Sequence, residues 1–381
     1  MPQRVLFTAS TFAHIVHFHL PYLRAFRAMG WAVDVACGGE AAAIPEADRC
    51  IALPFEKRMS APANFRAERM LRRLMAEERY ALVTTHTSLA AFFTRRAAAA
   101  LRPRPPLACV CHGYLFDDET PLPRRAVLRA AERLTAAQTD LLLTMNAYDE
   151  ATARRARLAR RIERIPGMGV DFSRLDAMRA DRDAVRVSLG FSPADRVLLF
   201  AAEFSARKNH AMLLRALAAL PAPVKLLLPG SGELLPDCRA LARRLGLDSR
   251  VVFPGYVADM APLYRAADAA VSASRLEGLP FNIMEAMYAG LPVVASRVKG
   301  HTDLLDDRCT GLLFPYDDDA AFAAAVRELL DRPELAAALG RAAHDAVLPF
   351  ALPQALPRVM DLYLSLLPAE LRRAQNPLDQ E

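Results

Sequence analysis

The sequence predicts an α/β protein made of two doubly wound parallel sheets. Three observations carry that prediction. Short β-rich runs alternate with helical stretches along most of the chain, the pattern of a parallel sheet with helices on both faces. The chain has 381 residues, and at about 100–200 residues per domain that length suits two domains. The alternation also restarts after a Pro/Gly break at Arg164-Ile165-Pro166-Gly167-Met168-Gly169-Val170-Asp171.

In the front half, Val5 to Ala9 reads as a buried strand, followed by a helix over 19–29 that stops at Gly30. His14, His17 and His19 are expected in the connection between that strand and that helix. Strands at Ala32–Ala36, Ala81–Thr85, Leu107–Cys111 and Leu141–Thr144 follow, separated by helices near 65–78, 88–100 and 124–136. In the back half the strands are Val197–Ala201, Val224–Leu228, Val251–Phe253, Ala269–Ser272 and Pro292–Ala295. Helices near 209–219, 235–245, 259–266, 282–289 and 319–330 lie between or after them. The expected domains are 1–168, 169–345 and a tail, 346–381, that turns helical at Val359–Leu367 and crosses back to the first domain, with its last residues disordered. Two such domains make a cleft, and ligands of doubly wound sheets bind at the carboxyl ends of the strands. Neither half has G-x-G-x-x-G after its first strand, so a dinucleotide site is not indicated.

Composition narrows the function classes. The sequence has no apolar run long enough to span a bilayer. It shows no signal peptide, since three histidines interrupt the apolar start, and its six cysteines are scattered. A reducing cytoplasm is therefore expected. Residues 1–170 hold 25 Lys+Arg against 16 Asp+Glu, a net of +9, while the remainder is −3. The positive field belongs to the front half and favours an anionic partner such as a membrane surface or a diphosphate. No basic motif interleaved with aromatics is present, so nucleic acid is not the expected partner.

The most informative stretch is Glu277-Gly278-Leu279-Pro280-Phe281-Asn282-Ile283-Met284-Glu285. A loop that opens a helix presents backbone N–H groups and the positive end of the helix dipole, which suits an anion. Carboxylates accept hydrogen bonds from vicinal hydroxyls, so the pair Glu277 and Glu285 adds a sugar to the anion. Arg207 and Lys208 enter a helix just after the first strand of the second half. As a dipeptide they read as a solvated charge pair; in the same domain as Glu277 and Glu285 they read as diphosphate ligands. Pro229-Gly230-Ser231-Gly232 follows a strand and can approach a ligand closely. In the front half His112, at a strand's carboxyl end, is expected to project into the cleft, and His14, His17, His19 and His86 together suggest a polar rim able to hydrogen-bond hydroxyls. Cys109, Cys111 and His112 lack a zinc spacing, and no metal-ligand cluster is evident. Residues 65–79 form a basic amphipathic helix with the apolar stripe Ala67, Met70, Leu71, Leu74 and Met75. Such a helix packs on a sheet by default and is also the candidate contact with a membrane surface.

These residues resemble the family 4 retaining glycosyltransferases of GT-B fold, two facing Rossmann-like domains, over nearly the whole chain. Glu277 and Glu285 resemble that family's E-x₇-E motif, and Arg207-Lys208 its diphosphate-binding pair. The run Phe253-Pro254-Gly255-Tyr256-Val257, with Met260 to Ser274, resembles the segment that covers the nucleotide base. The stretches 205–217, 19–23, 86–89 and 112–114 resemble the bacterial capsule and exopolysaccharide branch. The resemblance implies transfer of an N-acetylhexosamine or hexose from a UDP-sugar, as substrate rather than cofactor, with retained configuration and no essential metal. The acceptor would be a lipid-diphosphate-linked saccharide at the cytoplasmic face of the inner membrane. It implies that Arg207 and Lys208 act as diphosphate counter-charges, Glu285 holds the ribose, Glu277 and His112 touch the donor sugar, and the N–H groups of Phe281, Asn282 and Ile283 bind phosphate. It adds Gly230 and Tyr256 to the donor side. On the acceptor side the candidates are His14, His17, His86 and Tyr114. Two departures bear on the acceptor: Ser88-Leu89-Ala90-Ala91 replaces a common Gly-Gly, and Thr11-Phe12-Ala13-His14 stands in place of a glycine pair after the first strand. A sugar-nucleotide epimerase of the same fold, and a basic membrane-surface binding protein, are the alternatives.

Overall fold

A computed structural model describes residues 2–41 and 43–373. The chain forms two compact units: residues 1–169 together with 353–381, and residues 170–352. Positions 346–352, expected in the tail, belong to the second unit. The anticipated disorder of the final residues concerns positions from 374 onward, which lie outside the described residues.

Among the described residues of the first unit, seven strands form one parallel sheet: β1 (Arg4–Ala9), β2 (Ala32–Gly38), β3 (Arg49–Leu53), β4 (Leu82–His86), β5 (Leu107–Cys111), β6 (Leu141–Thr144) and β7 (Arg161–Arg164). Their spatial order is β3-β2-β1-β4-β5-β6-β7. The winding reverses between β1 and β4, and a loop leaves the carboxyl end of the sheet on either side of that point. The central strands β1, β4, β5 and β6 are almost wholly buried, as a sheet covered on both faces requires. Leu6, Val83, Cys109 and Leu142 pack there against Ala67, Leu71 and Met75.

The expected connection after β1 is a helix instead, Phe12–Phe18, capped by Thr11, whose side chain accepts from the His14 N–H. A threonine at the N-cap satisfies an orphan helix donor, and Phe12 and Ile15 bury the inner face. His14 and His17 are therefore helical residues. The chain breaks at His19 (φ −125°, ψ −4°) and starts the helix Leu20–Ala28.

The second unit has, among the described residues, β8 (Arg196–Leu199), β9 (Val224–Pro229), β10 (Val251–Gly255), β11 (Ala269–Ser272), β12 (Val293–Ser296) and β13 (Leu312–Phe314), all parallel. The order β10-β9-β8-β11-β12-β13 places its reversal between β8 and β11. Val170 donates its N–H to Phe350 O (3.0 Å) and accepts from Leu352 N–H (2.9 Å), so the chain enters and leaves this unit at adjacent points. The helix Leu352–Leu364 then completes the first unit. It buries Ala355, Val359, Met360 and Tyr363, and Tyr363 packs against Tyr22 and Phe26 and accepts from Thr84 Oγ1 at 3.3 Å.

Candidate functional site

In the second unit the residues flagged in the sequence gather at the carboxyl end of the sheet, around the β8/β11 reversal. Doubly wound sheets bind ligands at such a point because the two neighbouring loops part there. After β8 the chain turns through 200–209 into the helix His210–Ala218, with Arg207 and Lys208 just before it. After β11 it reaches Glu277 and the helix Phe281–Tyr288.

Glu277 is buried and joins the two loops. Its Oε1 accepts from Lys208 Nζ at 2.5 Å, and its Oε2 from Arg207 Nη1 at 3.0 Å. Arg207 Nη1 also donates to Leu276 O (3.1 Å), and Arg275 N–H to Arg207 O (2.8 Å). Burial pushes the Glu277 carboxyl up, but the charges of Lys208 and Arg207 outweigh it and hold the pKa at about 2. Glu277 is therefore ionised at neutral pH, and the three groups carry a net charge of +1. A diphosphate approaching them meets two cations already oriented by a carboxylate. Each carboxylate oxygen retains a lone pair for a hydroxyl.

Eight residues on, Glu285 lies on the helix Phe281–Tyr288. Its Oε2 accepts from Tyr264 OH at 2.7 Å, and the same hydroxyl contacts Asn282 O at 3.2 Å. Burial raises the pKa of Glu285, against the lowering effects of Tyr264 and Arg174. The helix carrying Phe281, Asn282 and Ile283 has Pro280 at its N-cap, which makes no side-chain cap hydrogen bond, and its N-terminal end carries the positive pole of the helix dipole.

Gly230 and Gly232 follow β9 with φ of +148° and +149°. A β-carbon at Gly230 would overlap the Ala202 carbonyl, and one at Gly232 would lie 2.5 Å from Phe204 O and 2.6 Å from Phe204 N. Backbone bonds from Phe204 N–H to Ser231 O (2.8 Å) and Leu234 N–H to Phe204 O (3.0 Å) lace this loop to the one bearing Arg207 and Lys208. Tyr256, in the loop after β10, is 69% exposed.

Sequence reasoning missed two neighbours. Tyr264 sat unremarked within the segment assigned to the nucleotide base. His301 is buried in the loop after β12; its Nδ1 lies 2.8 Å from Ser296 O, and its Nε2 has no hydrogen-bond partner. Burial lowers its pKa against the opposing pull of Glu277. Its one visible signal was Gly300, where a β-carbon would come within 2.8 Å of both Glu277 Cβ and Gly278 O.

The front-half candidates converge less evenly. Of the expected polar rim, His14, His19 and His86 come together and are joined by His112. His17 stays outside the group, exposed, with Nδ1 2.6 Å from Ala13 O. Tyr114 is buried and stacks on Phe116 at 5.1 Å, within the hydrophobic core rather than on a rim. Of the basic helix expected over 65–79, Pro62–Glu78 forms, with Ala67, Leu71 and Met75 buried in the core and Met70 43% exposed. That helix spends most of its apolar stripe on the sheet. The helix Leu122–Leu134 buries no residue, and Leu122, Val127 and Leu134 are 68–69% exposed beside Arg124, Arg129 and Arg133. No described helix is long and apolar enough to cross a membrane.

Comparison with known proteins agrees with this geometry. Residues 195–332 match the family model for glycosyl transferases group 1, and residues 15–174 that for glycosyltransferase family 4. The putative glycosyltransferase EpsD of Bacillus subtilis (strain 168) is 30% identical over 369 residues, covering 95% of this chain and 97% of that one. Among solved structures, sucrose-phosphate synthase from Thermosynechococcus elongatus superposes with a TM-score of 0.81 at 22% identity, covering 96% of this chain and 99% of that one. Anabaena HepE in complex with UDP-glucose gives 0.76 at 20% identity, covering 95% and 99%. WaaG, a glycosyltransferase involved in lipopolysaccharide biosynthesis, gives 0.76 at 19%, covering 94% and 99%. With both family models matched and a relative of 30% identity aligned over 95% of the chain, the chain belongs to the family 4 glycosyltransferases and has their two-domain GT-B fold.

Proposed function

We propose that this glycosyltransferase moves a hexose or N-acetylhexosamine from a UDP-sugar, with retained anomeric configuration, to a lipid-diphosphate-linked saccharide in cell-surface polysaccharide synthesis. The observation that carries the donor reading is the Lys208–Glu277–Arg207 cluster, whose Glu277 lies just before the N-terminal end of the helix Phe281–Tyr288 in the loop after β11. In the reaction the bond between the anomeric carbon and the β-phosphate oxygen breaks and UDP departs with the electron pair. Placed donors facing that developing charge are the main catalytic lever. Lys208 and Arg207 supply the charge, and the N–H groups of Phe281, Asn282 and Ile283 supply the dipoles. Glu285 holds the ribose hydroxyls, with Tyr264 fixing its orientation. Glu277 orients the two cations and accepts from a sugar hydroxyl. The acceptor proton passes to the departing phosphate, so no strong side-chain base is needed. Support for UDP comes from the HepE complex, and support for a surface polysaccharide from WaaG.

The test is incubation of the protein with UDP-hexoses and UDP-N-acetylhexosamines, with and without a lipid-diphosphate saccharide, and assignment of the product anomer by NMR. An α-linked product from an α-linked donor is expected. Neither transfer nor donor hydrolysis with any of them would remove the reading. Turnover of donor to its epimer without acceptor would favour the epimerase.

We place the protein at the cytoplasmic face of the inner membrane, held by the helix Leu122–Leu134. Its exposed leucines and valine beside arginines suit an anionic bilayer surface. Flotation with vesicles containing anionic lipid should recover the protein, and Val127→Asp with Leu134→Asp should abolish recovery. Met70→Asp should leave it unchanged. Equal flotation of all three proteins would place the contact elsewhere.

A further inference from the structure

The reversal point of the first sheet holds a cluster of which the resemblance assigns only His112 to the donor sugar. His14 comes from the helix after β1, His19 from the break following it, His86 from the end of β4 and His112 from the end of β5. One ring nitrogen from each lies within 4.8 Å of all the others. The rings of His19 and His86 are 3.7 Å apart between centroids, and those of His14 and His112 are 4.5 Å apart. His19 and His86 are fully buried. Thr84 Oγ1 lies 3.0 Å from His86 Nε2. His86 Nδ1, His14 Nε2, His112 Nε2 and both nitrogens of His19 are buried without a hydrogen-bond partner.

Such a cluster is costly by itself. A buried polar atom left unsatisfied costs about 1–3 kcal/mol, and here five are packed together. Burial disfavours the charged form of all four rings. Neutral imidazole is the commonest metal ligand, and one cation would satisfy four of these atoms at once.

We propose that His14, His19, His86 and His112 bind a divalent transition-metal ion, with Zn²⁺ as the expected occupant. Four imidazoles suit tetrahedral Zn²⁺, with Zn–N of about 2.0–2.1 Å. That geometry separates ligand nitrogens by about 3.3 Å, so the rings need draw in by roughly an ångström or so, a shift within the reach of χ1 and χ2 adjustment. His86 would bind through Nδ1, since Thr84 contacts its Nε2. The contact is of the kind that fixes the tautomer and orientation of a metal-bound histidine. His112 bound through Nε2 would carry its proton on Nδ1. The ligands arrive from three separate stretches of sequence, so the ion would pin the loops after β1, β4 and β5 together. Copper and nickel also favour imidazole, and the measurement below distinguishes them. A bound ion would take His112 from the donor-sugar contact that the resemblance implies, and the test does not read transfer.

The experiment uses the full chain purified without a histidine tag. Elemental analysis after exhaustive dialysis should find about one zinc per chain, and Co²⁺ added to metal-stripped protein should give the intense visible absorption of tetrahedral coordination. X-ray absorption on the zinc form should show nitrogen scatterers and no sulfur. Competition with a chromophoric chelator should place His19→Gln and His86→Gln at least about 100-fold weaker in affinity than the parent, beyond the loss typical of an outer-shell change. His17→Gln should bind as the parent does. Should either buried variant fail to fold, the cobalt and X-ray absorption spectra of the parent decide alone. Less than a tenth of an equivalent of any transition metal, together with octahedral cobalt spectra, would overturn the proposal, as would binding equally weakened by His17→Gln. Copper or nickel in place of zinc would uphold the site and reassign its occupant.

Discussion

Replacing Lys208 by alanine is expected to lower kcat/KM for the sugar nucleotide by about 10²–10³-fold, the usual loss when one placed donor to a developing oxyanion is removed. Two effects add. The leaving diphosphate loses a cation, and buried Glu277 loses its 2.5 Å partner. With only Arg207 and His301 left to oppose burial, the Glu277 pKa must rise from about 2. The partition between kcat and KM is informative. A fall in kcat with little change in KM places Lys208 on the transition state, whereas a rise in KM alone places it on ground-state binding. Lys208→Arg should recover part of the loss because the charge remains, though a planar fork replaces a point charge. Steady-state kinetics of Lys208→Ala indistinguishable from the parent would remove the cluster from the mechanism.

Gly232→Ala is expected to lower stability strongly. The added carbon meets Phe204 O and N at 2.5 and 2.6 Å in a backbone with φ of +149°, so both the steric and the conformational costs apply. Together they should reach about 3 kcal/mol or more. For a folding unit of this size, that shifts the thermal midpoint by about 6–12 °C. Gly246→Ala is the control, because Gly246 has φ of +67° and no atom within 4 Å of the added carbon; it should show only the conformational part, about 1–2 kcal/mol. Since the Gly232 loop is laced to the one bearing Arg207 and Lys208, donor affinity should fall in Gly232→Ala and hold in Gly246→Ala. Calorimetry with and without UDP measures both. Equal midpoints in the two variants would show that the close approach costs nothing.

What could be read in advance followed burial. The central strands β1, β4, β5 and β6, and β8, β9, β11 and β12, are covered on both faces and carry apolar runs that stand out. The strands β3, β7 and β13 were not anticipated, and each lies at the edge of its sheet. Edge strands are half covered and tolerate polar residues: β7 is Arg-Ile-Glu-Arg and β3 begins Arg-Cys. The donor residues were legible because Arg207, Lys208, Glu277 and Glu285 cluster in two short motifs at loop-to-helix junctions. The histidine group was legible only as a polar rim, with His17 where the structure has His112, because its members come from separate elements and its register depends on a helix break. His14 and His17 lie three residues apart on the helix Phe12–Phe18, yet His14 is half-buried and His17 exposed. The break at His19 brings that ring beside His14, with centroids 5.3 Å apart. Exposure of the helix Leu122–Leu134 was equally hidden, since its spacing matches that of a packed helix and only the absence of a covering element distinguishes it.

The return of the helix Leu352–Leu364 to the first unit bears on how the chain is made. Residues 170–352 form a contiguous unit, able to fold as soon as they emerge. The first unit has all seven of its strands much earlier, yet Tyr22, Phe26 and Thr84 gain their Tyr363 partner only after everything between has been synthesised. Closing so long a loop costs entropy that local contacts do not. The earlier-synthesised unit is therefore the later to finish, and during translation it is the one with apolar surface in need of protection.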